Sequence, residues 1–252
     1  MINGMEITLD YIRDIKICQS KEGYRFSVDS LLLFSFVNSL LAEKIADLGA
    51  GSGIIGLLLA SKYPRADVFL FELQNSLAVI AEKNIALNAL ENRVRVIMAD
   101  LRDIRTSCPS CDAGSFDMVV SNPPFRKEGA GFVNPREEKA IARHEINLKL
   151  AELVGAASYL LKSRGRFFLI HNPSRLSELV SVLREKKMEI KRLRFVHSTV
   201  LSEAKMVLVE AIAGGRAGMK VDRPLIIYGK NGEYTREMLD FYGVSHKEPP
   251  QR

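Results

Sequence analysis

The chain has 252 residues, 47% of them hydrophobic, with a formal net charge of +6 and an isoelectric point near 9.2. That is enough apolar chain to bury one full α/β core, and the start shows no basic-then-apolar pattern of a secretory signal. The most apolar stretch, residues 31–41, is too short and too interrupted to span a bilayer, and three cysteines cannot close a disulfide framework. A reducing cytoplasm is therefore the expected setting. The basic balance leans towards a polyanionic partner, although many enzymes without one are mildly basic.

In chain order, residues 9–17 and 24–28 alternate in polarity around the polar stretch Gln19 to Gly23, which predicts a hairpin turning at 19–23. Asp29 or Ser30 can cap a helix running to about Ala42. Residues 44–48 read as a short buried strand, 54–62 as a helix, 67–71 as a strand closing on Glu72, and 76–89 as an amphipathic helix. Strands follow at 94–98 and 116–121, then a helix at 148–161, a strand at 166–171, a helix at 175–187, and strands at 190–196 and 205–213. Strand–helix alternation of this kind predicts a doubly wound, mostly parallel sheet with helices on both faces, its last two strands forming an antiparallel edge. The whole reads as one domain: a hairpin-and-helix appendage at 1–42, a core at 43–215 and an extension at 216–252.

Asp47, Glu72, Asp100 and Asn122 all fall at predicted strand C-termini, the edge at which open α/β sheets bind ligands. Gly49, Gly51 and Gly53 stand between the first core strand and its helix, where glycine permits a tight turn and close approach of a ligand. Gly51, Gly53 and Gly56 also satisfy the dinucleotide fingerprint, so NAD is a rival cofactor. Asp47 suits the ammonium of S-adenosylmethionine (SAM), and Glu72 suits a ribose hydroxyl in either cofactor. Asp100 can accept from the adenine amine of the cofactor, or can simply cap a helix.

Asn122-Pro123-Pro124-Phe125 decides for SAM, because an NAD site has no use for it. An exocyclic amine is a poor nucleophile while its lone pair is delocalised into a ring. The Asn122 side-chain oxygen and the Pro123 carbonyl can accept from its two N–H bonds and free that pair. Pro123 and Pro124 fix φ and hold the acceptors still, and Phe125 offers a stacking face for the base. The competing structural reading, a strand-ending proline turn, explains the prolines but not their place after a glycine-loop strand. Together the motifs predict an N-methyltransferase.

Two basic clusters stand out: Arg184, Lys186, Lys187, Lys191, Arg192 and Arg194, and a second formed by Arg126, Lys127, Arg136, Lys139 and Arg143 just after the Asn-Pro-Pro-Phe motif. Cys108 and Cys111 form a CxxC that lacks a second ligand pair, so a loop pair without metal is expected.

Asp47 to Gly53 with Asn122 to Phe125 resembles the small-domain SAM-dependent methyltransferases. The flanking stretches 24–33, 142–145, 192–198, 224–228 and 234–235 are similar to the bacterial tRNA adenine-N6-methyltransferases acting beside the anticodon of a valine tRNA. That resemblance implies a seven-stranded Rossmann-like sheet, SAM as cofactor, a tRNA substrate and no metal. It also implies closure of Phe26 and Asp29 over the cofactor. Arg126, Lys127, Arg143 and His144 are candidate substrate contacts, the last two readable also as loop anchors. A glutamine amide in a protein and the N2 of a ribosomal guanine carry the same kind of amine and stay open as targets. From another class, a catalytically silent RNA-binding module also stays open.

Overall fold

The computed structural model describes residues 7–20, 28–39, 41–108, 111–123 and 148–243. Its centre is a mixed sheet built from β3 (Lys44–Leu48), β4 (Asp67–Glu72), β5 (Val94–Met98), β6 (Phe116–Ser121), β7 (Leu161–His171), β8 (Met188–His197) and β9 (Ala204–Ala213). Their spatial order is β5-β4-β3-β6-β7-β9-β8. All neighbours are parallel except β9, which runs antiparallel to both β7 and β8. Two short strands, β10 (Lys220–Val221) and β11 (Leu225–Ile226), pair with the outer side of β8 and extend the seven strands to nine.

The central strands are mostly apolar because parallel strands are covered on both faces. One face carries α1 (Val28–Phe36), α2 (Ile54–Lys62), α3 (Asn75–Leu87) and the C-terminal α7 (Arg236–Tyr242), packed around Ile45, Val68, Leu70, Phe168 and Ile170. The other carries a short α4 (Ile104–Ser107), α5 (Leu150–Leu160) and α6 (Leu176–Glu185) over Leu48, Phe71, Phe116 and Phe167. Leu31, Leu32, Leu33, Phe34 and Phe36 are all buried, so α1 is apolar all round and serves as a core helix. It ends at Phe36, well before Ala42, and the Tyr63 hydroxyl bonds both the N–H and the carbonyl of Ser39 just beyond it.

The N-terminal hairpin is shifted from its expected register. It pairs β1 (Ile7–Ile12) with β2 (Ile15–Ser20) through a two-residue turn at Arg13 and Asp14, not at residues 19–23. Arg13 takes φ +54° with no glycine or asparagine to advertise the turn. Asn84 of α3, wholly buried, docks the hairpin: its amide accepts from the Cys18 N–H at 2.6 Å and donates to the Cys18 carbonyl at 3.0 Å and the Ser52 carbonyl at 2.9 Å. Asn88, one turn on, makes the same two-way contact with the Lys16 backbone.

Cys108 and Cys111 are joined as a disulfide, their Cα atoms 5.3 Å apart and both side chains buried beside Leu101 and Ile104. The expected loop pair is thus joined, with the Cys111 N–H donating to the Cys108 carbonyl at 2.9 Å. Cys18 is buried and free. Among the described residues no helix is long and apolar enough to cross a membrane.

Candidate active site

The chain begins the sheet at β3, works outward to β5, then returns to place β6 on the other side of β3. Between β3 and β6 lies the switch point at which open sheets form a crevice. Leu48 of β3 sits in register with Ser121 of β6, whose hydroxyl donates to the Leu48 carbonyl at 2.8 Å. The glycine loop and Asn122 therefore leave the sheet side by side.

Gly49, Gly51 and Gly53 have φ of +72°, +58° and +86°, a run that residues with a Cβ rarely adopt. The Phe71 carbonyl gathers the loop from below, accepting from the N–H groups of Gly49 and Ala50, both at 2.9 Å. Gly56 has a different reason to be glycine. A Cβ there would lie 2.1 Å from Leu70 Cδ2, so its absence lets α2 seat on β4. The glycine spacing that mimics a dinucleotide fingerprint is thus partly a packing requirement.

Asp47 is 1% exposed, and its Oδ2 accepts from the Gly56 N–H at 3.0 Å. Its Oδ1 is buried without a hydrogen-bond partner among the described residues. Burial above all, with the Glu72 charge adding to it, raises the Asp47 carboxyl from 3.8 to about 7, against the lowering effect of the Gly56 N–H. An orphaned carboxylate oxygen of this kind is what a ligand ammonium would satisfy. Glu72 accepts from the Gly51 N–H through Oε2 and from the Gln74 N–H through Oε1, each at 2.8 Å. Each oxygen retains a lone pair for a hydroxyl donor.

Asp100 takes the capping role. Its carboxylate accepts from the Arg102 N–H at 3.0 Å and clasps the Arg102 guanidinium, which holds the Asp100 carboxyl below its usual range. An adenine amine would have to share it with Arg102.

Asn122 lies at the mouth of the crevice with its amide NH2 donated to the Ser30 hydroxyl at 3.2 Å. Ser30 is 2% exposed in the first turn of α1, and neither it nor Asp29 caps that helix, which starts at Val28. The resemblance drew attention to Phe26 and Asp29; Ser30 was missed, although a serine ahead of three leucines on a buried helix is the available signal. Pro123 follows Asn122 and is half-buried. Phe26, Pro124, Phe125, Arg126, Lys127, Arg143 and His144 lie outside the described residues.

The first basic cluster is less available to a polyanion than its sequence implies. Arg184 pairs with Glu189 at 3.3 Å, Arg192 with Glu210 at 3.0 Å and Arg194 with Glu237 at 2.8 Å. Lys186 and Lys187 remain exposed.

A parallel sheet with its switch point at a positive-φ glycine loop, closed by an antiparallel β9 and carrying two buried carboxylates, defines a SAM-dependent methyltransferase. Residues 25–190 match the methyltransferase small domain, and the chain belongs to that family. A protein of Porphyromonas gingivalis strain W83 named tRNA1(Val) (adenine(37)-N6)-methyltransferase is 31% identical over 249 residues, 93% of this chain and 95% of its own. One of the same name from Pedobacter heparinus is 27% identical over 94% of this chain and 95% of its own. Among solved structures, protein Atu636 of Agrobacterium tumefaciens, described as a predicted O-methyltransferase, superposes with a TM-score of 0.69 at 26% identity, covering 86% of this chain and 96% of that one.

Proposed function

We propose that this methyltransferase acts on the exocyclic N6 amine of an adenine in tRNA, beside the anticodon. The observation that carries the reading is the orientation of Asn122. Its NH2 donates to the Ser30 hydroxyl at 3.2 Å, which leaves its oxygen available to accept from an amine. Two relatives named for this reaction, each spanning nearly the whole chain, supply the substrate class.

When bound, SAM supplies a sulfonium methyl already activated for displacement, so the protein's task is placement and polarisation. Asp47 would take the cofactor's ammonium and Glu72 its ribose hydroxyls, with the glycine loop beneath. Asn122 Oδ1 and the Pro123 carbonyl would hold the two N–H bonds of the target amine and draw its lone pair out of the ring. Phe125 would stack on the base. Ser30 would be a positioning residue, because its hydroxyl anchors the Asn122 amide beside α1. As the nitrogen is methylated its N–H becomes acidic, and the proton leaves along the Asn122 hydrogen bond to water. A tRNA substrate would put the reaction in the cytoplasm, whose reducing poise favours the dithiol form of Cys108 and Cys111.

The test is nucleoside mass spectrometry of tRNA from strains with and without the gene, paired with methyl transfer by purified protein to tRNA, ribosomal RNA and a glutamine-bearing peptide. N6-methyladenosine lost from one tRNA on deletion and restored in vitro is the expected result. Transfer to the peptide or to guanine in place of tRNA adenine would replace this reading.

A further inference from the structure

Three tyrosines near the C-terminus stack face to face. Tyr228 and Tyr234 have ring centroids 5.3 Å apart with planes 10° from parallel, and Tyr234 and Tyr242 are 5.5 Å apart at 28°. Tyr234 is the middle ring and Tyr242 rests half-buried on α7, so the stack ends at Tyr228, which is 38% exposed. Joining the tail to α7 needs only the Tyr234–Tyr242 contact. It gives no reason to present the terminal ring to solvent.

The position of that ring gives one. The Tyr228 N–H donates to the Ser198 carbonyl at 2.8 Å, immediately beyond the C-terminal end of β8. Because β8 is antiparallel to β9, and β9 to β7, this is the edge of the sheet from which Asn122 also emerges. The face is shared as well: α7 and α1 lie together on one side of the sheet, and Ser30 of α1 holds Asn122. Three strand spacings separate β6 from β8, roughly 14 Å.

The surroundings are those of a nucleic-acid contact. Lys230 and Arg236 lie within two residues of the stacked Tyr228 and Tyr234 in the chain, exposed and without a carboxylate partner among the described residues, the adjacent Glu237 being paired with Arg194. The adjoining tip between β8 and β9 holds up Leu201, 95% exposed, on a turn that the Ser202 hydroxyl and carbonyl tie to Thr199 and His197.

We infer that Tyr228 is a stacking platform for an unpaired nucleobase of the RNA substrate, other than the base being methylated, with Lys230 and Arg236 on the neighbouring phosphates. The inference rests on the tRNA reading above. Stacking suits an unpaired loop, whose bases are free to splay outward, and is indifferent to base identity. Tyr228 therefore anchors the RNA while selection of the adenine stays with the crevice.

The chain contains no tryptophan, so Tyr228→Trp installs a single indole at the end of the stack. Titration with an anticodon stem-loop should quench its fluorescence, with a midpoint matching the RNA concentration that half-saturates methyl transfer. The same stem-loop with abasic loop positions should not quench it. Tyr228→Leu should weaken RNA binding by roughly 5- to 150-fold, leaving kcat at saturating RNA and SAM affinity unchanged and lowering the melting temperature only by the loss of its stack on Tyr234. Wild-type protein that methylates tRNA while the indole stays unquenched, or a folded Tyr228→Leu with wild-type RNA affinity, overturns the platform alone. Failure of the wild type to methylate any tRNA overturns the function reading and the platform with it.

Discussion

The ends of β3 and β4 and the ends of β6 and β8 share one edge of one sheet, yet they are built from opposite materials. At β3 and β4 the groups are carboxyls, buried and largely bonded: Asp47 and Glu72 are 1% and 5% exposed, and backbone N–H groups hold three of their four carboxylate oxygens. At β6 and β8 the groups are neutral and reach outward: an asparagine amide, a proline carbonyl and an open tyrosine ring. A small cation-bearing cofactor can be wrapped, so fixed charges withheld from water serve it well. A polyanion hundreds of atoms across can only be touched, so its recognition must lie on the surface and its chemistry on one oriented amide.

The contrast breaks most sharply at Asn122. Asn122→Ala should lower kcat by about a hundredfold or more, the scale for loss of one preorganised polar group. SAM affinity should be unchanged, as calorimetry and single-turnover rates at saturating tRNA would show. A mutant with normal turnover would reduce the motif to a turn.

Asp47 tests the buried half through pH. Its folded pKa of about 7 lies above the unfolded 3.8, so the cofactor-free fold holds this proton more tightly. That contribution to stability is complete below about pH 3.8 and is lost as the pH rises through about 7. A ligand ammonium favours the ionised form. SAM affinity should therefore climb roughly tenfold per pH unit up to about 7 and then level off. Asp47→Asn should bind weakly and without that slope, and a slope that survives the substitution would assign it elsewhere.

Packing comes next. Gly56→Ala drives a methyl into Leu70 and should cost about 1–3 kcal/mol, read as a lower denaturation midpoint. The smallest effect is at Ser30. Ser30→Ala loses one neutral hydrogen bond, about 0.5–1.5 kcal/mol, and should lower kcat roughly two- to tenfold. KM for tRNA and SAM affinity should hold. A fall in all three would make Ser30 structural.

The same contrast governs what could be read from sequence. β3, α2, β5 and β6 have the bounds expected of them, and for β3 and β6 the reason is that strands buried on both faces are largely apolar runs closed by glycine or asparagine. Asp47, Glu72 and the glycines were legible for the same reason, since their positions are dictated by strand ends. What escaped was decided by partners far along the chain. The Arg13–Asp14 turn carries neither glycine nor asparagine, and its strand is held by Asn84 and Asn88. Strands β10 and β11 have two residues each, too few for any period. Ser30 mattered only once α1 was laid beside β6. Of the two roles the sequence offered Asp100, the helix cap is the one seen, with Arg102 clasped beside it.

The asparagine clasp on the hairpin sets a timetable for synthesis. Cys18 and Asn84 are 66 residues apart, so at 5–20 residues per second the ribosome needs about 3–13 s to deliver the second after the first. Through that interval β2 has its hairpin partner and α2 but lacks α3, the helix against which it packs most. The earliest-made part of the chain is thus among the later parts to settle. Because Asn84 also holds the Ser52 carbonyl, the glycine loop takes its final shape when the oldest residues are at last clamped.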